Sequence, residues 1–425
     1  MSGVFTQEGH LLGYVMSRAH HADIGGISPG SMPMSTEIYQ EGVIIPPLVV
    51  RKHGELNAAL LELLLRNVRT PEERRGDLDA QLASQTAGEN GLRSLAERYG
   101  VDAVSVHGEA LQRYSEAAMR ALIRDISPGE YEFEDVLDGD GQADEPVKIR
   151  VTVRRDGGSD DLTIDFTGSA RQRNGPVNCP MAVTTAATLY VMRCLHKSDV
   201  PVNDGSLVPL KIVAPPGSVV AALAPAPVAG GNVETSQRIV DVLFGALSRA
   251  LPDRCPAASQ GTMNNLALGG FDSVRGRQFA YYETMGGGMG ARPETDGASG
   301  VHDHMSNTLN TPVEALESEY PLRVVRYELR TGSGGEGRHR GGEGLRRDLL
   351  FLEPATVTFL TERRMHSPYG LWGGADGDRG QNVLIGDDED TLPSKCQVQV
   401  EAGQTLSIRT PGGGGFGDLP ETLGG

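Results

Sequence analysis

Three stretches of this chain carry side chains able to bind a metal, move a proton or recognise an amide. The first is His20-His21-Ala22-Asp23, three N/O groups within four residues, with Gly25-Gly26 just beyond. In an extended segment neighbouring side chains leave on opposite faces, so His20 and His21 reach one metal only across a bend. One imidazole together with Asp23 is the better use of that spacing. The second stretch is His302-Asp303-His304, followed by Asn307, Thr308, Asn310 and Thr311. On a strand, His302 and His304 would share a face, a geometry for a metal or an anion. Gln260 to Asn265 is the third, with Asn264 and Asn265 adjacent. Side-chain amides donate and accept together, which suits an amide-containing ligand; capping of a loop accounts for them equally well.

Other chemistries are absent from the sequence. Glycine precedes none of the five lysines (Lys52, Lys148, Lys197, Lys211, Lys395), so there is no Walker A loop. Gly332, Gly334 and Gly337 match GxGxxG in form, but Arg338-His339-Arg340-Gly341-Gly342 is a poor helix opening. A glycine-rich loop between strands is expected there. HExxH and GxSxG do not occur. ATP, if used, belongs to another chain. The cysteines, Cys179, Cys194, Cys255 and Cys396, are scattered with no CxxC pair, as expected of buried small apolar side chains.

The elements that must position these groups follow from length and periodicity. The 425 residues, 38% hydrophobic and 22% charged, allow two or three domains at about 100–200 residues each. A net charge of −17 argues against a polyanionic nucleic-acid partner. The N-terminus lacks a signal-peptide pattern, and no window approaches the roughly 18 apolar residues of a membrane span. No membrane and a cytoplasmic, reducing compartment are therefore expected. Gly13-Tyr14-Val15-Met16 reads as strand, and a Pro- and Gly-rich loop runs to about Pro47. From Leu48 to about Ile126 the period is helical, with Leu56, Leu60, Leu63 and Leu64 on one apolar face and Leu92, Leu95 and Tyr99 on another. Thr70-Pro71-Glu72-Glu73 marks a helix start. Residues 147–153 and 162–166 alternate around Asp156-Gly157-Gly158, a hairpin whose glycines are expected at positive φ and intolerant of valine. Helices are expected near 180–197 and 233–251, then short strands and glycine turns. The fold class is α+β: a helical N-terminal segment and a β-rich, glycine-rich body. The expected divisions are 1–130, 131–320 and 321–425.

Several long segments, taken in order, carry a resemblance. They are SRAHHADIGG (17–26), GPVNCPMAVT (175–184), PVAGGNVETSQRIVD (227–241), PAASQGTMNN (256–265), YYETMGGGMGARP (281–293), GASGVHDHMSNTLNTPVEALE (297–317) and TPGGGGFG (410–417). With them the chain resembles the B-type subunits of the hydantoinase/5-oxoprolinase family, related to the large subunits of acetone and acetophenone carboxylases. The resemblance implies an A-type partner subunit that binds ATP and phosphorylates the oxygen of a cyclic amide or imide. It implies that the B-type subunit holds a divalent metal (Zn, Mn or Fe) that directs water at the activated carbon. His20 is then the metal ligand. His21 and Asp23 support it or position water, and Asn264, Asn265, His302 and His304 line the substrate or the partner interface.

One feature departs from the family pattern. The family's metal site includes a GTHxxD-type motif upstream of the histidine pair, and nothing of the kind precedes His20 here. Of the implied ligands only His20 (or His21) is matched. The expectation is a sequence short at its N-terminus; the alternative is a subunit without metal that serves as a scaffold. A ketone carboxylase subunit is the rival among enzymes, distinguished by dependence on bicarbonate.

Overall fold

The computed structural model describes residues 1–419. An antiparallel hairpin, Ser2–Phe5 with Leu11–Val15, opens the chain, and extended loop follows. Helix α1 (Ala58–Arg66) starts at Asn57, whose side chain accepts from the amide of Leu60 at 3.1 Å. Its inward residues are Leu60 and Leu61, while Leu63 faces solvent; the expected Leu56–Leu63 stripe is displaced because Leu56 belongs to a short strand. Helix α2 (Pro71–Tyr99) has proline in its first turn with Glu72 and Glu73, as the macrodipole favours. It buries only Arg74 and Ala96, so Leu95 and Tyr99 stay exposed. Helix α3 (Val101–Asp125) follows after Gly100, and its last turns sink Met119, Leu122 and Ile123 into the core.

That core belongs to a four-stranded sheet in the order Gly129–Leu137, Val147–Arg155, Leu162–Asp165, Leu210–Val213, the last pair parallel. Val147, Ile149, Val151 and Val153 all point inward, as their alternation requires. The hairpin pairs Thr152 with Asp165 as expected. Its turn corrects the expectation for the glycines: neither Gly157 nor Gly158 has a positive φ, and a Cβ on Gly158 would meet nothing within 4 Å. Helices α4 (Met181–Cys194) and α5 (Ser236–Leu247) cover this sheet. Every residue of α5 is buried, and a π-turn, Gly231–Thr235, leads into it.

The remaining body has two antiparallel sheets. One orders Arg277–Glu283, Asn265–Asp272, Ala355–Leu360, Lys395–Val400; the other orders Leu322–Arg330, Gly344–Phe351, Thr405–Arg409, Gln381–Ile385, Glu389–Leu392. Helix α6 (Val313–Glu319) connects them in sequence, and a shared core including Leu268, Leu349, Phe351, Phe359 and Leu406 fills the space between. One sheet and one core thus run across residue 320.

The segment Pro411–Gly415 is enclosed on several sides. Gly413 donates to Gly342 O and accepts from Gly335; Gly414 donates to Ala258 O and accepts from Ala291; Gly415 donates to Ala375 O and accepts from Leu371. A Cβ on Gly413 would sit 2.1 Å from the Met289 carbonyl oxygen, so only glycine permits the approach. Among the described residues no helix is long and apolar enough to cross a membrane.

Candidate active site

Extended backbone after Val15 sends the two imidazoles of the first motif apart, as alternation demands. The His20 ring stacks on Tyr282, with centroids 5.2 Å apart and planes at 21°. His21 turns to α2 instead: Nε2 lies 3.1 Å from Gln81 Oε1, and Nδ1 lies 4.0 Å from Asp77 Oδ2. Asp23 is wholly buried. Its carboxylate accepts from the amides of Gly25 (3.0 Å), Gly30 (3.3 Å) and Arg69 (3.3 Å), and from Arg69 Nη1 (2.9 Å). With its lone pairs occupied, Asp23 holds the loop in shape and has no acceptor left over for a water beside His20 or His21.

Behind His20 runs a buried polar chain. The Tyr282 hydroxyl donates to Asn265 Oδ1 at 2.7 Å, and Asn265 Nδ2 donates to Glu234 Oε1 at 2.6 Å and Leu360 O at 2.8 Å. Glu234 sits in the π-turn, a distortion common at functional sites, and its Oε2 has no partner among the described residues. Desolvation, aided by the charge of Glu362, pushes the Glu234 carboxyl up to about 8. Burial, with His21 and Arg74 nearby, lowers His20 below the ordinary imidazole value. Tyr282 and Glu234 were not singled out from the sequence, although both lie inside segments that carry the resemblance.

The expected amide pair is split. Asn265 belongs to the chain behind His20. Asn264, at φ 48°, turns the other way, donating to Gln260 Oε1 (2.7 Å) and Met285 O (3.1 Å) and accepting from Arg364 Nη1 (2.8 Å). Burial brings that arginine down to about 10. Both asparagines are enclosed and hydrogen-bonded, so neither offers an amide to an open pocket.

The histidines of the second motif do not share a face. Residues 302–304 form no strand, because His304 is left-handed at φ 54° and ends the alternation. His302 Nδ1 lies 2.9 Å from Ser306 Oγ, while His304 Nδ1 lies 3.3 Å from the Tyr190 hydroxyl and its ring packs on Phe244. Desolvation lowers both imidazoles. Neither histidine joins His20 through any hydrogen bond of this network.

The donor set does not build a metal centre. Among the described residues no three His, Cys, Asp or Glu side chains converge to hold an ion. At His20 the nearby charge is the Arg74 guanidinium, and the Asp23 carboxylate is already engaged by Arg69. One imidazole falls short of the three protein ligands a catalytic N/O site uses.

The family model for hydantoinase B/oxoprolinase matches residues 1–419. The chain is 40% identical to 5-oxoprolinase 1 of Arabidopsis thaliana over 96% of its own length, but spans only 33% of that protein. It is 34% identical to a protein of a Pseudomonas strain described as the putative B-type chain of a D-/L-hydantoinase, covering 96% of this chain and 71% of that one. The crystal structure of an ATP-dependent caprolactamase from Pseudomonas jessenii superposes with a TM-score of 0.87 at 27% identity, over 98% of this chain and 73% of the other. The chain belongs to the hydantoinase B/oxoprolinase family.

Proposed function

We propose that this chain is the B-type subunit of an ATP-dependent hydrolase of cyclic amides, working with an A-type partner that binds ATP. The carrying observation is the family match along the whole described chain, with relatives named for hydantoinase and 5-oxoprolinase activity. The sequence has no Walker A motif, which supports a partner that holds the ATP. Transfer of the terminal phosphoryl group to the amide oxygen releases ADP and turns an unreactive amide into an imidate-like electrophile. Water adds to that carbon, the ring C–N bond breaks and the nitrogen takes a proton. A second water hydrolyses the remaining acyl phosphate to a carboxylate and inorganic phosphate. On this reading the His20–Tyr282–Asn265–Glu234 chain fixes the imidazole at the reacting face and holds a proton in reserve on Glu234. A divalent metal enters only with ligands brought from elsewhere to join His20, and no step above is assigned to it. A cytoplasmic location completes the proposal.

The test is to purify the chain with an A-type partner and supply a lactam, a hydantoin or 5-oxoproline. Ring opening coupled to ADP release should require both chains and ATP, without bicarbonate. Turnover without ATP, or a carboxylated product that needs bicarbonate, overturns the reading.

A further inference from the structure

On the side of the motif away from His20 lies a cavity of about 190 Å³, bounded by the loop after His21, by α1 and by the first turns of α2. Val43, Ile45, Leu64, Leu65, Val68 and Leu78 make its walls. Its volume is that of about six liquid waters at ~30 Å³ each, and lies below the ~300 Å³ at which pockets for drug-sized ligands begin. A small ligand with an apolar body fits that space.

The polar groups at its edge are specific. Arg74 lines the cavity, is 6% exposed, and its Nη1 has no hydrogen-bond partner among the described residues. The rest of the guanidinium is engaged, Nε 3.1 Å from Asp77 Oδ2 and Nη2 3.2 Å from Glu73 Oε2. Two carboxylates already face one cation, so an anionic ligand would be repelled while a neutral acceptor would still satisfy Nη1. His21 also lines the cavity. The Gln81 amide oxygen beside Nε2 only accepts, so the ring proton sits on Nε2 and Nδ1 is left as an acceptor. Asp77 Oδ2 lies 3.1 Å from Arg74 Nε and 4.0 Å from His21 Nδ1, which brings the free donor and the free acceptor to one place.

We propose that this pocket binds a small neutral cyclic amide. The carbonyl oxygen accepts from Arg74 Nη1, the ring N–H donates to His21 Nδ1, and the methylenes of the ring rest on the leucine and valine walls. A cis amide presents its donor and acceptor on the same edge, which this pair complements. The inference rests on the cyclic-amide reading above and narrows it: an unsubstituted lactam is preferred over 5-oxoproline, whose carboxylate would meet Glu73 and Asp77.

Binding is measured on the full chain without ATP or partner, by ligand-observed NMR and thermal shift, with ε-caprolactam, 5-oxoproline and hexanoate as probes. Saturable caprolactam binding is expected, with the two anions at least about tenfold weaker. Arg74→Lys, which keeps the charge and loses the fork, should weaken caprolactam about tenfold, one hydrogen bond to a charged group. Leu65→Trp, which fills the cavity, should abolish binding, and circular dichroism shows whether each variant is folded. Caprolactam affinity unchanged in a folded Arg74→Lys or Leu65→Trp overturns the proposal, as does tighter binding of 5-oxoproline or no saturable lactam binding. ATP-dependent turnover with the partner that survives Leu65→Trp also sinks the pocket while leaving the proposed function standing. Binding as expected without any ATP-dependent turnover would remove the function and keep the pocket.

Discussion

The ring of His20 lies flat on that of Tyr282, and the hydroxyl of Tyr282 is tied through Asn265 to the unexposed carboxyl of Glu234. A loop histidine is thereby referenced to the interior of the protein. Tyr282→Phe keeps the stack but strands Asn265 Oδ1, which should cost about 1–3 kcal/mol in urea unfolding. Tyr282→Ala also removes the stacked face, so the His20 titration followed by NMR should move up towards the ordinary imidazole value. An unmoved His20 titration would show that Tyr282 does not set its environment.

Glu234 makes a pH prediction. Its folded value near 8 lies above the ordinary 4.5, so the folded chain favours the protonated form. That contribution is full below about pH 4.5 and is lost as pH rises towards 8. Wild type should therefore lose stability relative to Glu234→Gln across this window, by on the order of a few kcal/mol. Parallel urea midpoints for the two proteins from pH 5 to about pH 8 would refute it.

Arg69 and Asp23 form a pair whose acid is wholly buried. Arg69→Ala leaves that carboxylate uncompensated and should destabilise by about 3 kcal/mol. Adding Asp23→Asn should restore part of the loss, so the double variant costs less than the two single ones together. Strict additivity in a denaturation cycle would rule out the coupling.

Two glycine substitutions should behave oppositely. Gly413→Ala drives a methyl into the Met289 carbonyl and should cost roughly 1–3 kcal/mol or more. Gly158→Val, in an open turn without positive φ, should stay within ~0.5 kcal/mol. Equal melting temperatures for the two variants would contradict the packing described.

Much of the fold was legible because period is a local signal. The alternation of Val147, Ile149, Val151 and Val153 needs only one buried face, and Thr70-Pro71-Glu72-Glu73 needs only one helix end. The site was less legible because its decisive contacts are distant in sequence. Asp23 looks like a free acid until Arg69 arrives from across the loop, and His302-x-His304 looks like a strand until His304 goes left-handed. Glu234 could have been suspected as an acid between Val233 and Thr235 at the head of an apolar helix. Its isolation, however, comes from the π-turn and from strands far along the chain.

The enclosure of Pro411–Gly415 has a consequence for the order of synthesis. The ribosome makes this segment after the stretches around Ala258, Met289, Gly342 and Ala375 that surround it. Those stretches emerge with their glycine backbones facing an empty channel and cannot close until it is filled. Assembly of the C-terminal body is therefore a post-translational event, and a nascent chain stalled before residue 411 is exposed to chaperones and proteases as an open shell.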